Sequence, residues 1–249
     1  NKNQLIMIKI ITLLTKFVVA VLIAILFSSC KYDIDLLGTN GNGDITTETR
    51  IVSEDFKSID VSAGIEVVVE QASEKFVSVQ ADSNLQKMID VKVENGVLVI
   101  KPNENYDSTQ SPIVTVKMPI IENLEASSAS EIKSKNVLKG NQINIGSSSG
   151  SEIKVELEFE NISLDASSGS TISANGKALK IKTDASSGSE INAEDLLANE
   201  VIASVSSGAE TSVHPIVSLN AEASSGGEIH YNTNPKSIRK DISSGGSID

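Results

Sequence analysis

The sequence predicts an all-β protein: a parallel β-helix, or β-solenoid, of about 19-residue coils, with N-terminal β-strands and a hairpin joined to it. Three observations predict it. Seven Ser pairs recur in the second half of the chain, Ser127-Ser128, Ser148-Ser149, Ser167-Ser168, Ser186-Ser187, Ser206-Ser207, Ser224-Ser225 and Ser243-Ser244, at separations of 21, 19, 19, 20, 18 and 19 residues. Self-similarity at so short a period marks stacked coils and outranks local propensity. Apolar residues keep phase with it: Ile162, Leu164 and Ala166, then Val201, Ala203 and Val205, then Leu219, Ala221 and Ala223 alternate just before the pairs. That is the period of a strand with one face inward. Lastly, Val91–Val93 and Val97–Ile100 flank Asn95-Gly96, a strong short-range hairpin signal.

The chain opens with a targeting segment. Residues 1–29 carry Lys2, Lys9 and Lys16, no acid, and the apolar run Phe17–Phe27, followed by Ser28-Ser29-Cys30. A basic start, an 11-residue apolar run and small residues describe a secretory signal peptide over 1–29. The run is shorter than the roughly 20 residues a spanning helix needs. Cys30, the single Cys, sits where a bacterial lipobox places the lipidated residue, with Phe27 in place of the usual Leu. An uncleaved anchor, or plain secretion with a chance Cys, is the competing reading. Lys31–Asp35 is loosely similar to the signal that sends Bacteroidetes lipoproteins to the cell surface. An outer-membrane lipoprotein is expected, at the surface or facing the periplasm. Residues 30–50, Gly/Asn-rich over 38–44, read as the tether between the lipid anchor and the body.

Residues 51–120 read as an N-terminal β region. Ile65, Val67 and Val69 alternate with Glu66, Val68 and Glu70; Ser83–Met88 reads as one helical turn, and 101–112 as a surface loop. Residues 121–249 form the repeat. Gly follows six of the seven pairs, with Ala129 in the first. Five places after each first Ser stand Ile132, Ile153, Ile172, Ile191, Thr211, Ile229 and Ile248. Each coil is therefore expected to be a strand, a Ser-Ser-Gly corner, a second short strand and a variable return. Coils stacked about 4.8 Å apart bury a continuous apolar column, and six steps make roughly 29 Å.

These features together resemble one family. Ile51–Val67, the Asn95-Gly96 hairpin and the Ser-Ser-Gly ladder are similar to the auto-transporter adhesin head GIN domain family, over about residues 43–249. The resemblance implies a right-handed parallel β-helix-like fold and a lipoprotein or secreted protein of the kind common in Bacteroidetes. Its adhesin name is itself an inference from architecture.

Composition restricts the chemistry. Of 249 residues, 21 are basic and 33 acidic, two are His and one is Cys; removal of 1–29 leaves 18 basic and 33 acidic, a net charge of −15. Nucleic acid is not an expected partner, because phosphate binding needs clustered Lys or Arg. No metal or cofactor is expected, since the usual ligands are scarce. A Ser nucleophile needs a base within reach, and the candidates are His214, expected at a strand end, and His230, expected to face solvent. Corner geometry explains the Ser ladder (Ser148, Ser167, Ser186, Ser206, Ser224, Ser243) better, with Gly169, Gly188, Gly208 and Gly226 taking positive φ. A carbohydrate-active enzyme would need paired carboxylates and aromatic platforms, and the aromatics are few and dispersed.

Glu131, Glu152, Glu190, Glu210 and Glu228 fall four places after the first Ser and are the candidate binding face. A solvated face is one reading; a weak divalent ion or a cationic surface is the other. Neighbouring carboxylates would repel by about 0.9 kcal/mol in bulk water. The expectation is a non-enzymatic surface adhesin that binds an unknown protein or glycan through its repetitive polar face; the alternative is a structural partner in envelope assembly. At the C-terminus, Arg239 and Lys240 are expected to guard an open solenoid end against association.

Overall fold

The structure is a computed structural model that describes residues 38–249. The signal peptide 1–29, Cys30 and the tether up to residue 37 lie outside the described residues. Thr39–Asp249 form one unit, almost entirely β-structure, in which a 17-stranded sheet winds into a solenoid. The expected fold class is what is observed.

Parallel pairing carries the repeat. The long strands β13 (Glu152–Ala166), β14 (Thr171–Ala185), β15 (Glu190–Val205) and β16 (Glu210–Ala223) each follow one whole coil and pair with the next in parallel. The two strands and variable return expected for each coil are thus one strand, bent at the return but hydrogen-bonded through it. Register shifts between Ser173 and Gly176, between Ala193 and Leu197 and between Ala198 and Glu200 absorb the changes in repeat length. The inward Ile column is in register from Ile132 through Ile153, Ile172, Ile191, Thr211 and Ile229 to Ile248, and none of these is more than 7% exposed. Stacking like on like gives one continuous core.

The corners are tight turns. Ser149, Ser168, Ser187, Ser207, Ser225 and Ser244 have φ between 48° and 56°, and the following Gly lies between 68° and 80°. The amide after the Gly returns to the first Ser, as in Ser151 N to Ser148 O at 3.2 Å. Two successive positive-φ residues inside such a bond are the pattern of a type I′ turn, which reverses the chain with the right-handed twist of strands. Gly was expected at positive φ; the second Ser shares it. Gly150, Gly169, Gly188 and Gly208 also donate to the second Ser of the next coil, as in Gly150 N to Ser168 O at 3.1 Å.

The N-terminal region is threaded into the same sheet. β3 (Ser58–Val61) and β4 (Glu66–Gln71) stack in parallel on β10 (Asn123–Ala126) and β11 (Glu131–Ser134). Ser62-Ala63-Gly64 between them is another corner, with φ of 62° and 72° at Ala63 and Gly64. On its far side lie β7 (Val97–Pro102) and β9 (Ile113–Met118), so the outermost parallel rung comes from later in the chain than its neighbour. The sheet therefore runs unbroken across residue 120. β5 (Phe76–Asp82) and β6 (Ile89–Glu94) add antiparallel to β9 and β7, and β2 (Ile45–Thr49) adds to β5. The Asn95-Gly96 hairpin joins β6 to β7, and the expected helical turn is a 3-10 turn at Gln86–Met88.

Two expectations need correction here. Residues 39–50 are not tether: β1 (Thr39–Asn40) pairs with β8 (Tyr106–Asp107), inside the expected surface loop 101–112. The reason is Asp82, fully buried, whose carboxylate accepts from Gly43 N at 2.7 Å, Thr109 N at 3.0 Å and Thr109 Oγ1 at 2.8 Å. Asn84 holds the same strap through Asn42 N and Asn40 O. Gly41 there serves close packing, since a Cβ would strike the Asp82 carboxylate, whereas Gly43 is needed for its φ of 78°.

Candidate functional site

The surface offers three outer faces: the strand before each corner, the strand after it, and the return. On the strand after the corner, pairing registers Glu66, Glu131, Glu152, Thr171, Glu190, Glu210, Glu228 and Ser247 in one column. The expected Glu ladder exists, but its two halves differ. Lys133 stands 2.9 Å from Glu131 and 3.2 Å from Glu66, and Lys154 2.7 Å from Glu152. The adjacent column continues as Ser173, Asn192 and Ser212, so Glu190 has no cation beside it among the described residues. The half that includes Glu131 and Glu152 is thus neutralised by a Lys ladder two residues further along the strand. Reading the Glu column alone missed it. Hydrogen bonding to Glu131 and to Glu66 raises the Lys133 ammonium, against the pull of desolvation. Among the described residues, no group of three His, Cys, Asp or Glu is placed to hold a metal ion.

The strand before the corner carries a second acidic column that sequence reasoning also missed. Asp60, Glu125, Asp165, Asp184, Glu222 and Asp241 stack in register, with Gly146 and Ser204 between them. Its signal was available two places before each Ser pair. Burial pushes the Glu125 carboxyl up, and the nearby Asp60 and Asp165 charges push it further, while Asn123 pulls the other way. Gly146 leaves room for that carboxylate: a Cβ there would lie 2.0 Å from Glu125 Oε2.

At the corners, the named hydroxyls are not those that do the bonding. Ser148, Ser167, Ser186, Ser206, Ser224 and Ser243 open the turns and lie at least partly exposed. The residue after the Gly is the buried one. Ser151 Oγ donates to Ala126 O of the preceding coil at 2.8 Å and accepts from Ser148 N at 3.0 Å. Ser170 and Ser189 repeat this with Ser147 O and Ala166 O, and Ser130 repeats it, after Ala129, with Val61 O. Each hydroxyl pins a corner to its neighbour. Ala209, Gly227 and Gly246 replace it further on, so the Ser-Ser-Gly-Ser form marks only the earlier coils.

Neither His pairs with a ladder Ser. His214 lies within β16 rather than at a strand end, opposite Leu197, with Nδ1 3.0 Å from Glu194 O. His230 sits among Glu210, Glu228 and Asp249, with Nδ1 2.6 Å from Asp249 Oδ1. Phe56 and Phe159 are core residues, 4% and 5% exposed. On the return, Leu179, Leu197 and Ile216 are 44–55% exposed and form an apolar ridge above Phe159.

Comparison with known proteins agrees with this architecture. The sequence profile of the family described as "Putative auto-transporter adhesin, head GIN domain" matches residues 55–235. Similar solved structures include a "putative adhesin" from Bacteroides fragilis, 17% identical, covering 85% of this chain and 99% of that one, with a TM-score of 0.78. A "putative lipid binding protein" from Parabacteroides distasonis is 24% identical over 84% of this chain and 97% of that one, at 0.68. A "putative adhesin" from Parabacteroides merdae is 20% identical over 84% and 97%, at 0.66. Identities this low carry the fold alone. None of the curated proteins matches the chain. With the profile spanning most of the sequence and the Ser-Ser-Gly corners stacked in register beneath it, the chain belongs to the auto-transporter adhesin head GIN domain family.

Proposed function

We propose that this chain is a lipid-anchored, non-enzymatic surface adhesin of the bacterial outer membrane that binds a glycan or protein through its repetitive polar faces. The observation that carries the reading is the pair of outer columns, one Glu-rich and one Asp/Glu-rich, held in register along the stack. A rigid array of like groups about 4.8 Å apart suits a repetitive partner, because each added rung adds a contact without new ordering cost. The anchor would be Cys30, after cleavage of 1–29. An assembly role through the end of the solenoid is the second reading, favoured by Ile238 and Ile242, 38% and 50% exposed on the last rung. Whole cells that display the protein are tested against a glycan and matrix-protein array. Cys30→Ser should abolish fatty-acid labelling and release the protein to the soluble fraction. Acyl label on that variant overturns the anchor; no capture of any glycan or matrix protein overturns adhesion.

A further inference from the structure

The return face is interrupted at one place. After β9 the chain does not enter the adjoining rung of β3 and β4. Pro119–Glu122 crosses that rung and delivers the chain to β10, which pairs with β3 on one side and β12 (Leu138–Ser147) on the other. The rung passed over cannot close its own return, because β4 ends at Gln71 and the chain turns back into β5. Lys139 pairs with Glu158 of β13 on one side but has no strand on the side of the rung passed over, and the Gln71 side chain takes that place. Its Oε1 accepts from Lys139 N at 2.7 Å, and its Nε2 donates to Lys139 O at 2.9 Å and Pro119 O at 3.0 Å. One side-chain amide thus stands in for a missing peptide, and beside it a cleft of about 580 Å³ stays open.

The walls of this cleft have a distinct chemistry. Asn141, Gln142 and Asn144 line it, all exposed, and their side-chain amides have no hydrogen-bond partner among the described residues. Each offers two donors and an acceptor. The charged groups are already neutralised: Lys139 pairs with Glu158 at 2.9 Å, and Glu122 with Lys57 at 2.8 Å. Ile120, 49% exposed, supplies an apolar wall. Free amides with no spare charge suit a ligand whose groups both donate and accept, and the aliphatic wall suits one with a C–H face. The volume lies within the range of small-molecule sites.

We propose that this cleft is a saccharide-binding subsite, an inference that rests on the adhesin role above and gives it a ligand class and a place. An isolated ion finds no unpaired charge there, and an aliphatic ligand would strip water from three exposed amides without replacing its hydrogen bonds. Sugar hydroxyls satisfy the amides in both directions.

The test uses the full chain in detergent on an array of neutral hexose, N-acetylhexosamine and uronate oligosaccharides, with the same chain on matrix proteins in parallel. Asn141→Ala with Gln142→Ala alters only exposed side chains, so the melting temperature should stay at the parent value. Apparent affinity for whichever sugar the parent binds should fall at least tenfold, and by more than in Glu190→Gln with Glu210→Gln and Glu228→Gln, which alters the outer Glu column instead. Loss on the Glu variant and none on the amide variant overturns the cleft and keeps the adhesin. A parent that captures matrix protein but no sugar also overturns the cleft alone. A parent that captures neither overturns both readings.

Discussion

Lys240 extends its ammonium to 4.6 Å from the centre of the Tyr231 ring and donates to Ile248 O at 2.8 Å. In register it follows Thr183, Ala203 and Ala221, an inward column of small side chains. Beneath another coil a Lys there would bury its charge. On the rung of β18 (Ser237–Ile242) and β19 (Ser247–Ile248), where every residue of β18 is exposed, it bends across the core instead. Aliphatic stem and cation thus lie over the outer side of this rung.

The first prediction removes that cover. Arg239→Val with Lys240→Val should make the protein associate with rising concentration. Sedimentation velocity is the measurement, and a double variant as monomeric as its parent at high concentration overturns the capping role.

The second separates the Ser positions of a corner. Ser170 Oγ bridges Ser147 O at 2.7 Å and Ser167 N at 3.2 Å in a buried site, whereas Ser168 is exposed. Ser170→Ala should cost about 1–3 kcal/mol by leaving buried groups unpaired. Ser168→Ala should change stability by roughly 0.5 kcal/mol or less. Equal losses in chemical denaturation would contradict this division of labour.

A third concerns backbone strain. Ala129 holds φ of 60° where the other Ser-pair corners have Gly. A side chain in the left-handed region costs about 1–2 kcal/mol, offset in part by the freedom Gly adds to the unfolded chain. Ala129→Gly should therefore raise the melting temperature, and a lower value would show that the corner favours the methyl group.

Much of this is legible in the sequence. The Ser-pair spacing and the Ile column fix the coil length, the inward face and the Glu register, because stacking like on like leaves one solution. The threading of β7 and β9 outside β3 and β4 was not legible, since strands that belong to no repeat carry no register of their own. Ser62-Ala63-Gly64 escaped notice because Ala63 and Ile65 stand where later corners have Ser. The Glu column taken alone points to an acidic face, whereas Lys133 and Lys154 neutralise part of it from the next column. The amide cleft had no signature, as it exists only where the chain crosses a rung.

The fourth prediction tests the faces. Ile172 and Ile191 are fully buried between their neighbours in the column, whereas Glu190 is exposed. Ile172→Asp or Ile191→Asp should each cost about 4 kcal/mol, the range of an unpaired buried charge. Glu190→Gln should stay within roughly 0.5 kcal/mol of the parent. Three equal melting temperatures would reverse the assignment.

The last prediction concerns the strap that sequence reading took for tether. Asp82 is fully buried, and burial alone would push its carboxyl up; Gly43 N–H and the Thr109 hydroxyl and amide outweigh this and hold it below the ordinary aspartate range. A carboxyl with its folded pKa lowered adds stability that is present above the unfolded pKa and lost as pH falls through the folded value. The strap should therefore stay docked at neutral pH and loosen only in acid below 3.8, the usual aspartate value. Asp82→Ala removes the acceptor at every pH. Limited proteolysis of that variant at neutral pH, read by mass spectrometry, should give new cuts within 38–50 while the rungs from β13 to β16 remain protected, because those rungs share no hydrogen bond with the strap. The parent should resist at that site under the same conditions. Equal resistance of parent and variant would mean that β1–β8 pairing and Asn84 hold the strap without the carboxylate.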